Sequence, residues 1–357
     1  MEVIRRSRKD PFFSICIPQY NRTAFLIEAC KSLVNQTFKN FEVCISDDCS
    51  TDGKEEELIK FLEESGLSFV FRKLDRNARY DGNLRASIGL SEGRYCFLLG
   101  NDDALASPET LQQLYDDIQE FGPVGVVITN FADYETGKIV RRMRMTGLLG
   151  AGPKAAADNY RNVSFVSGVV LDSNRSKGLA TSNWDGSEMY QMYLMSRIVA
   201  EGGKLLGIDR VVIRKDIQIV GAQVDSYAVR PRLRPCPIIE RKHTFHLIGR
   251  LVVDAIEPHL EQSIKQAISE SVLRQLVIYT YPFWIFEYRR VQSWNYSAGI
   301  CLGMRPRNFI GEIKLGWLRR FRLNVIYFFV SFLGLSIPVR LFDRFYSKLY
   351  ALAKSKW

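Results

Sequence analysis

Histidine is nearly missing from this chain, and cysteine never occurs in metal-binding spacing. The 357 residues include three His and seven scattered Cys, with no Cys-x-x-Cys pair and no His nearby. That disfavours a zinc site or a disulfide framework and makes reduced thiols the expectation. The turn after the first apolar strand lacks a Gly-x-Gly-x-x-Gly fingerprint. It reads Pro18-Gln19-Tyr20-Asn21-Arg22, which disfavours dinucleotide binding. Phe12–Pro18 is too short for the apolar core of a secretory signal, despite the basic Arg5, Arg6, Arg8 and Lys9 before it. No repeat or low-complexity segment stands out. Acid is scarce in the tail: from Lys314 to Trp357 nine Lys and Arg face Asp343 alone.

What is present has the size for one large domain, or a domain and a sizeable appendage. The balance of 49 basic to 39 acidic residues gives +10 and suits an anionic partner. Apolar runs alternate with amphipathic segments over the first 130 residues. Phe13–Pro18, Phe41–Ser46, Leu67–Phe71, Tyr95–Leu99 and Val124–Thr129 read as strands. Thr23–Gln36, Glu55–Ser65, Asn83–Ser91 and a segment carrying Leu111, Leu114, Tyr115 and Ile118 read as helices. Arg72–Gly82 reads as a basic loop. The alternation predicts an α/β fold with a mostly parallel sheet and right-handed crossovers. Two strands end in paired acids, Asp47-Asp48 and Asp102-Asp103, and so deliver carboxylates to one sheet edge. In open α/β sheets that edge binds ligands. Adjacent carboxylates repel unless a cation or donor lies between them. One or two carboxylates plus a substrate phosphate is the usual magnesium arrangement. Ser107 and Pro108 read as the N-cap and first position of the following helix.

These pieces form an ordered set: Pro18-x-Tyr20-Asn21-Arg22, Ser32-Leu33-x-x-Gln36-Thr37-Phe38, Glu42-x-x-x-Ser46-Asp47-Asp48-x-Ser50-Thr51-Asp52, Gly93-x-Tyr95 and Asn101-Asp102-Asp103. The set resembles family 2 glycosyltransferases with the GT-A fold, strongly over residues 13–121 and weakly beyond. Tyr80-Asp81-Gly82-Asn83 with Leu98-Leu99-Gly100-Asn101-Asp102-Asp103 looks most like the abequosyltransferase-type branch, which adds sugars to bacterial O-antigen units. The resemblance implies a GT-A domain over 11–235, with a nucleotide half at about 11–130 and an acceptor half at about 131–235. A helical, basic and apolar extension then occupies 236–357.

By the same resemblance, Pro18, Tyr20 and Asn21 lie at the base and ribose of a nucleotide-diphospho-sugar. Asp48 accepts from the pyrimidine, Asp102 faces the ribose, and Asp103 binds a Mg or Mn ion bridging the diphosphate. Asn101 stands where many relatives carry Asp. Arg79 and Arg85 belong to the segment that relatives use near the diphosphate. An inverting transfer needs a general base within reach of the acceptor hydroxyl. The matching segment is Trp184-Asp185-Gly186-Ser187-Glu188-Met189-Tyr190, read as opening a helix near Ser187. Glu188 is the candidate base and Asp185 the alternative; Trp184 reads as core, with stacking on the acceptor sugar as the other reading.

His243 and His246, with Arg241, Lys242 and Arg250 around them, offer no third metal ligand. Leu323–Val339 is almost wholly apolar between basic flanks, yet falls short of the roughly 20 residues a spanning helix needs. It reads as part of a helix pair lying on an anionic membrane surface, with a buried core helix as the rival. The expectation is therefore an inverting hexosyl- or deoxyhexosyltransferase, cytoplasmic and peripheral on the inner face of the plasma membrane. Its acceptor would be a saccharide, of the polyprenyl-diphosphate-linked kind in O-antigen or other surface polysaccharide synthesis. A sugar-phosphate nucleotidyltransferase would want a Gly-rich phosphate loop after strand one, which is absent. A nucleic-acid binder would want its basic excess along a polar groove, not among the aromatics of the tail. No nucleic acid is expected as a partner.

Overall fold

The computed structural model describes residues 1–7, 9–219, 221, 244–291, 293–310 and 313–354. The predicted boundary at 235/236 and His243, Arg241 and Lys242 lie outside the described residues, as does the side chain of His246. The chain opens with β1 (Glu2–Arg5), β2 (Phe13–Gln19), α1 (Thr23–Val34), β3 (Phe41–Asp47), α2 (Glu55–Glu64), β4 (Phe69–Lys73), α3 (Arg79–Gly89) and β5 (Tyr95–Leu98). It continues with β6 (Ala104–Leu105), α4 (Thr110–Phe121), β7 (Val126–Asp133), β8 (Ile139–Val140), β9 (Gly147–Gly150), α5 (Gly152–Asn159), β10 (Val169–Asp172), α6 (Ser173–Gly178), α7 (Tyr190–Ala200) and β11 (Leu205–Lys215). The rest is helical: α8 (Thr244–Ile256), α9 (Gln262–Tyr279), α10 (Tyr281–Val291), α11 (Trp294–Gly303), α12 (Pro306–Ile310), α13 (Trp317–Ser336) and α14 (Val339–Lys354).

The strands form one sheet in the order β1-β4-β3-β2-β5-β10-β7-β11-β6, with β8 on β7 and β9 on β11. The α/β layering is the predicted one, but the parallel part is narrower. The block β4-β3-β2-β5 and the pair β7-β11 are parallel, and the remaining pairings are antiparallel. The strand that makes the sheet mixed is β10, inserted antiparallel between β5 and β7. Short β1 was not visible in the sequence because an exposed edge strand of four residues has no buried pattern to betray it.

Each face of the sheet covers its own apolar cluster. One holds α1, α2 and α4 against Phe13, Ile15, Val43 and Phe97. The other runs without a break from Cys16, Cys44 and Leu84 through α7 to Leu251 of α8, Leu273 of α9 and Leu323 of α13. The helical tail therefore packs on the same apolar layer as α3. Among the described residues no single helix is long and apolar enough to cross a membrane. The pair α13 and Val339–Tyr346, bent by 105°, passes that test only together.

Three predicted starts move. α3 begins at Arg79 instead of Asn83, because Asp48 accepts from the Ala78 N–H just before it. α4 begins at Thr110, since Ser107 and Pro108 form a turn in which Thr110 N donates to Ser107 O. α7 begins at Tyr190, so Glu188 is not in a first helical turn. Gly186 and Glu188 have φ of 92° and 58°, far from the α-helical value near −63°.

The Gly93-x-Tyr95 pattern has a steric cause. A Cβ on Gly93 would meet Ser14 Oγ at 2.7 Å, Ser14 N at 2.8 Å and the Phe13 carbonyl carbon at 2.9 Å. Gly93→Ala should therefore push β2 away and destabilise the protein by about 1–3 kcal/mol, as overpacking does. Denaturant unfolding checks this, and an unchanged midpoint would refute it.

Candidate active site

Gln19, the last residue of β2, is fully buried and joins three segments. Its carbonyl accepts from Asp48 N and from Asn83 Nδ2, both at 2.9 Å. Its side-chain Oε1 accepts from Asn101 Nδ2 at 2.6 Å. Because β3 and β5 flank β2 in parallel register, both acidic turns leave the same edge, and Gln19 fixes them to one point. Gln19 was not singled out from the sequence as a site residue; Asn83 and Asn101 were read only as parts of motifs, with no role given to either.

On the β3 side, Asp48 is 3% exposed, and its Oδ1 accepts from Ala78 N at 2.5 Å. Burial raises its pKa, while the N–H groups of Ala78 and Arg79 oppose the shift. Asn21, in a left-handed conformation, ties the first turn to this corner. Its N–H donates to Ser50 Oγ at 2.9 Å, and its Oδ1 accepts from Thr51 N at 2.6 Å. Pro18 pairs with Ser46 in the sheet, and Tyr20 is exposed beside the same corner.

On the β5 side, Asp102 is paired with Arg22, Nη1 to Oδ2 at 2.6 Å. Asp103 is buried. Ser167 Oγ donates to its Oδ2, and Asp216 N donates to its Oδ1 at 3.0 Å. Burial first, and the Asp102 charge second, push the Asp103 pKa up to about 7. The end of β11 closes this turn: Ile217 N reaches Asp102 O at 2.8 Å. Lys215 is ion-paired with Asp216. Burial disfavours its charge, but Asp216, Asp103 and Asp102 together raise its pKa. Behind Ser167 lies the buried Arg142, whose Nη2 donates to Ser167 O at 2.9 Å. No sequence signal links Ser167 or Lys215 and Asp216 to the acidic turn, since long stretches of chain separate them.

The third group of candidates sits on α3 and the loop before α7. Arg79 is exposed at the start of α3, in a left-handed conformation. Arg85 holds Asp185 in a two-pronged ion pair of 2.6 and 2.9 Å and also donates to Thr181 O at 2.8 Å. Its guanidinium is thus directed at the loop. Trp184 is buried in the core, as expected. Glu188 is half-buried in the same loop.

Among the described residues no three His, Cys, Asp or Glu side chains are arranged to hold a metal ion. A cation supported by one or two carboxylates and substrate phosphates needs no such cage. The half-buried Asp102 and the buried Asp103, whose pKa is raised by burial first and by the Asp102 charge second, fit that second arrangement. A neighbouring cavity of about 500 Å³ is walled by Asp47, Asp52, Glu55, Glu56 and Lys73, among others. Four acids against one lysine make it a poor diphosphate site.

The architecture is that of a GT-A fold. The crystal structure of S. aureus TarS 1-349 in complex with UDP aligns with a TM-score of 0.60 at 17% identity, over 90% of each chain. Residues 14–170 match the model for glycosyl transferase family 2. Abequosyltransferase RfbV of Salmonella typhimurium is 40% identical over 109 residues, which is 30% of this chain and 33% of that protein. The GalNAc(5)-diNAcBac-PP-undecaprenol beta-1,3-glucosyltransferase of Campylobacter jejuni is 29% identical over 97 residues, 27% and 31% of the two. The chain thus spans about a third of the length of these curated relatives.

The raised Asp103 pKa has a sign that can be tested. In the metal-free protein the folded value, about 7, lies above the unfolded one of about 3.9. Between these values the folded state binds the extra proton, so this group's contribution is present below the unfolded pKa and is lost as pH rises through 7. Asp103→Asn should melt above the parent at pH 8 in chelator, with the gap narrowing as pH falls toward 4. An equal or lower melting temperature at pH 8 would contradict the burial of a strained carboxylate.

Proposed function

We propose that this protein is a metal-dependent inverting glycosyltransferase. It would move a hexosyl or deoxyhexosyl unit from a nucleotide-diphospho-sugar to a lipid-linked saccharide in O-antigen or other surface-polysaccharide synthesis. The observation that carries this reading is the attachment of Asp48 and the Asp102-Asp103 turn to one residue, Gln19, at the ligand-binding edge of the sheet.

In this reading Pro18, Tyr20 and Asn21 border the base and ribose. Asp48 keeps one carboxylate oxygen on Ala78 and offers the other to the pyrimidine. Asp102, oriented by Arg22, faces the ribose, and Arg79 lies on the diphosphate side. Asp103, with Asp102 beside it, would hold a Mg or Mn ion, which when bound neutralises charge on the departing diphosphate. Glu188 takes the proton of the acceptor hydroxyl. The hydroxyl oxygen bonds to the anomeric carbon, the bond to the diphosphate oxygen breaks, and the nucleoside diphosphate carries away the electron pair. Asp185 is the weaker base, because Arg85 already holds both of its oxygens. The undecaprenol carrier of the Campylobacter relative's named substrate supports a membrane-borne acceptor here.

The tail has a surface suited to reach such an acceptor. Trp317, Phe321, Phe328, Phe329 and Phe332 are each at least 60% exposed on α13, and Leu341, Phe345 and Leu349 are exposed on α14. Arg320, Arg340, Arg344 and Lys348 are exposed beside them. Basic residues rimming an apolar helix face match an anionic bilayer surface in charge and in polarity. The protein would then lie on the cytoplasmic leaflet.

Turnover is tested with UDP-, GDP-, CDP- and dTDP-hexoses, Mn²⁺ and a bacterial lipid extract. Glu188→Gln should lower kcat about 10²–10⁴-fold while leaving the donor KM near the parent value; undiminished kcat would reject Glu188 as the base. Separately, the triple change Phe328→Ser, Phe329→Ser and Phe332→Ser should abolish co-sedimentation with phosphatidylglycerol vesicles without lowering the melting temperature. Retained sedimentation would refute the membrane face.

A further inference from the structure

The buried carboxylate of Asp81 lies on the side of α3 that meets the loop before α7, and no step above uses it. It is 2% exposed and accepts three backbone N–H groups from that loop. They are Gly186 N at 2.9 Å, Glu188 N at 2.9 Å and Tyr190 N at 3.1 Å. One turn along the same helix face, Arg85 grips Asp185. Two side chains of one helix therefore hold a loop about a hundred residues distant in sequence. The loop conformation explains the need. Gly186 and Glu188 both have left-handed φ, and a glutamate keeps that conformation only when its surroundings over-determine it. Tyr190 is the first residue of α7, whose leading N–H groups have no partner within the helix. Both carboxylate oxygens accept: Oδ2 takes Gly186 N and Glu188 N, and Oδ1 takes Tyr190 N. An asparagine would turn an NH₂ toward some of them.

We propose that Asp81 is a positioning residue, which fixes Glu188 in the geometry it needs as general base, with Arg85 as the outer lock on the same loop through Asp185. The proposal rests on the reading of Glu188 as the base. It gives Arg85 a role on the loop in place of the diphosphate role that the family resemblance implied.

Two measurements test it on the full chain. Hydrogen exchange of segment 184–190 reports the clamp without any need for activity. Asp81→Asn should speed exchange at Gly186, Glu188 and Tyr190 while leaving β2, β3 and β5 unchanged; unchanged loop exchange would overturn the clamp. Kinetics with the hexose donor panel and lipid extract then report the consequence. Asp81→Asn should lower kcat about 10²-fold, the order of loss expected when a catalytic group is misplaced by about 1 Å. The donor KM should stay within about twofold. In the double variant with Glu188→Gln it should cause no further loss, because both changes disable one unit. Multiplying losses in the double variant would overturn the positioning role while leaving the base intact. Full turnover in Glu188→Gln alone would remove the base reading and this proposal together. Should Asp81→Asn fail to fold, Arg85→Gln, which is closer to the surface, should reproduce the loop exchange and the non-additive kcat loss more weakly. A raised donor KM with unchanged kcat in that variant would return Arg85 to the diphosphate and overturn the lock.

Discussion

One buried glutamine sets the geometry on which the site depends. Gln19 ends the central strand, and its backbone and side-chain oxygens hold the β3 corner, α3 and the acidic turn after β5. The parallel register of β3, β2 and β5 brings these segments to one edge, and the hydrogen bonds turn nearness into fixed position. Buried polar groups of this kind are costly when any partner is lost, so the arrangement is specified as a unit. The same edge then concentrates negative charge that the protein alone relieves only in part. Arg22 answers Asp102, and Ser167 and the Asp216 N–H answer Asp103, yet burial first and the Asp102 charge second leave the pKa of Asp103 raised.

The second organising element is α3. Its leading Ala78 N–H is held by Asp48, its Asn83 by Gln19, and its Asp81 and Arg85 hold the loop carrying Glu188. A single helix thus joins the corner read as the nucleotide site to the loop read as carrying the base. This is a physical reason for the Tyr80-Asp81-Gly82-Asn83 run to occur as a unit, since Asp81 and Asn83 point to different partners from one turn.

Much of this was legible in the sequence, for reasons particular to each segment. The strands at Phe13, Phe41 and Tyr95 are short apolar runs ending in turn residues, and the acidic pairs follow them directly. Strand identity and sheet edge could therefore be read together. The helix starts could not. Asp48 caps α3 from thirty residues away, and Asp81 recruits the amides that would otherwise begin α7 earlier, so local pattern misplaced both boundaries. Ser167, Arg142, Lys215 and Asp216 support Asp103 only through the antiparallel insertion of β10 and the return of β11, a topology that no periodicity encodes. The tail was read as basic and apolar, and its composition was sufficient for that. Which side of α13 is buried against α9 and which is exposed became visible only with the packing.

The central claim is that the two acidic corners form one cation-assisted diphosphate site. Calorimetric titration of UDP, GDP, CDP and dTDP into the full chain, with and without Mn²⁺, tests it most directly. At least one nucleotide should bind with Mn²⁺, and its affinity should collapse in chelator. Equal affinity in chelator, or no binding of any of the four with the metal present, would contradict it.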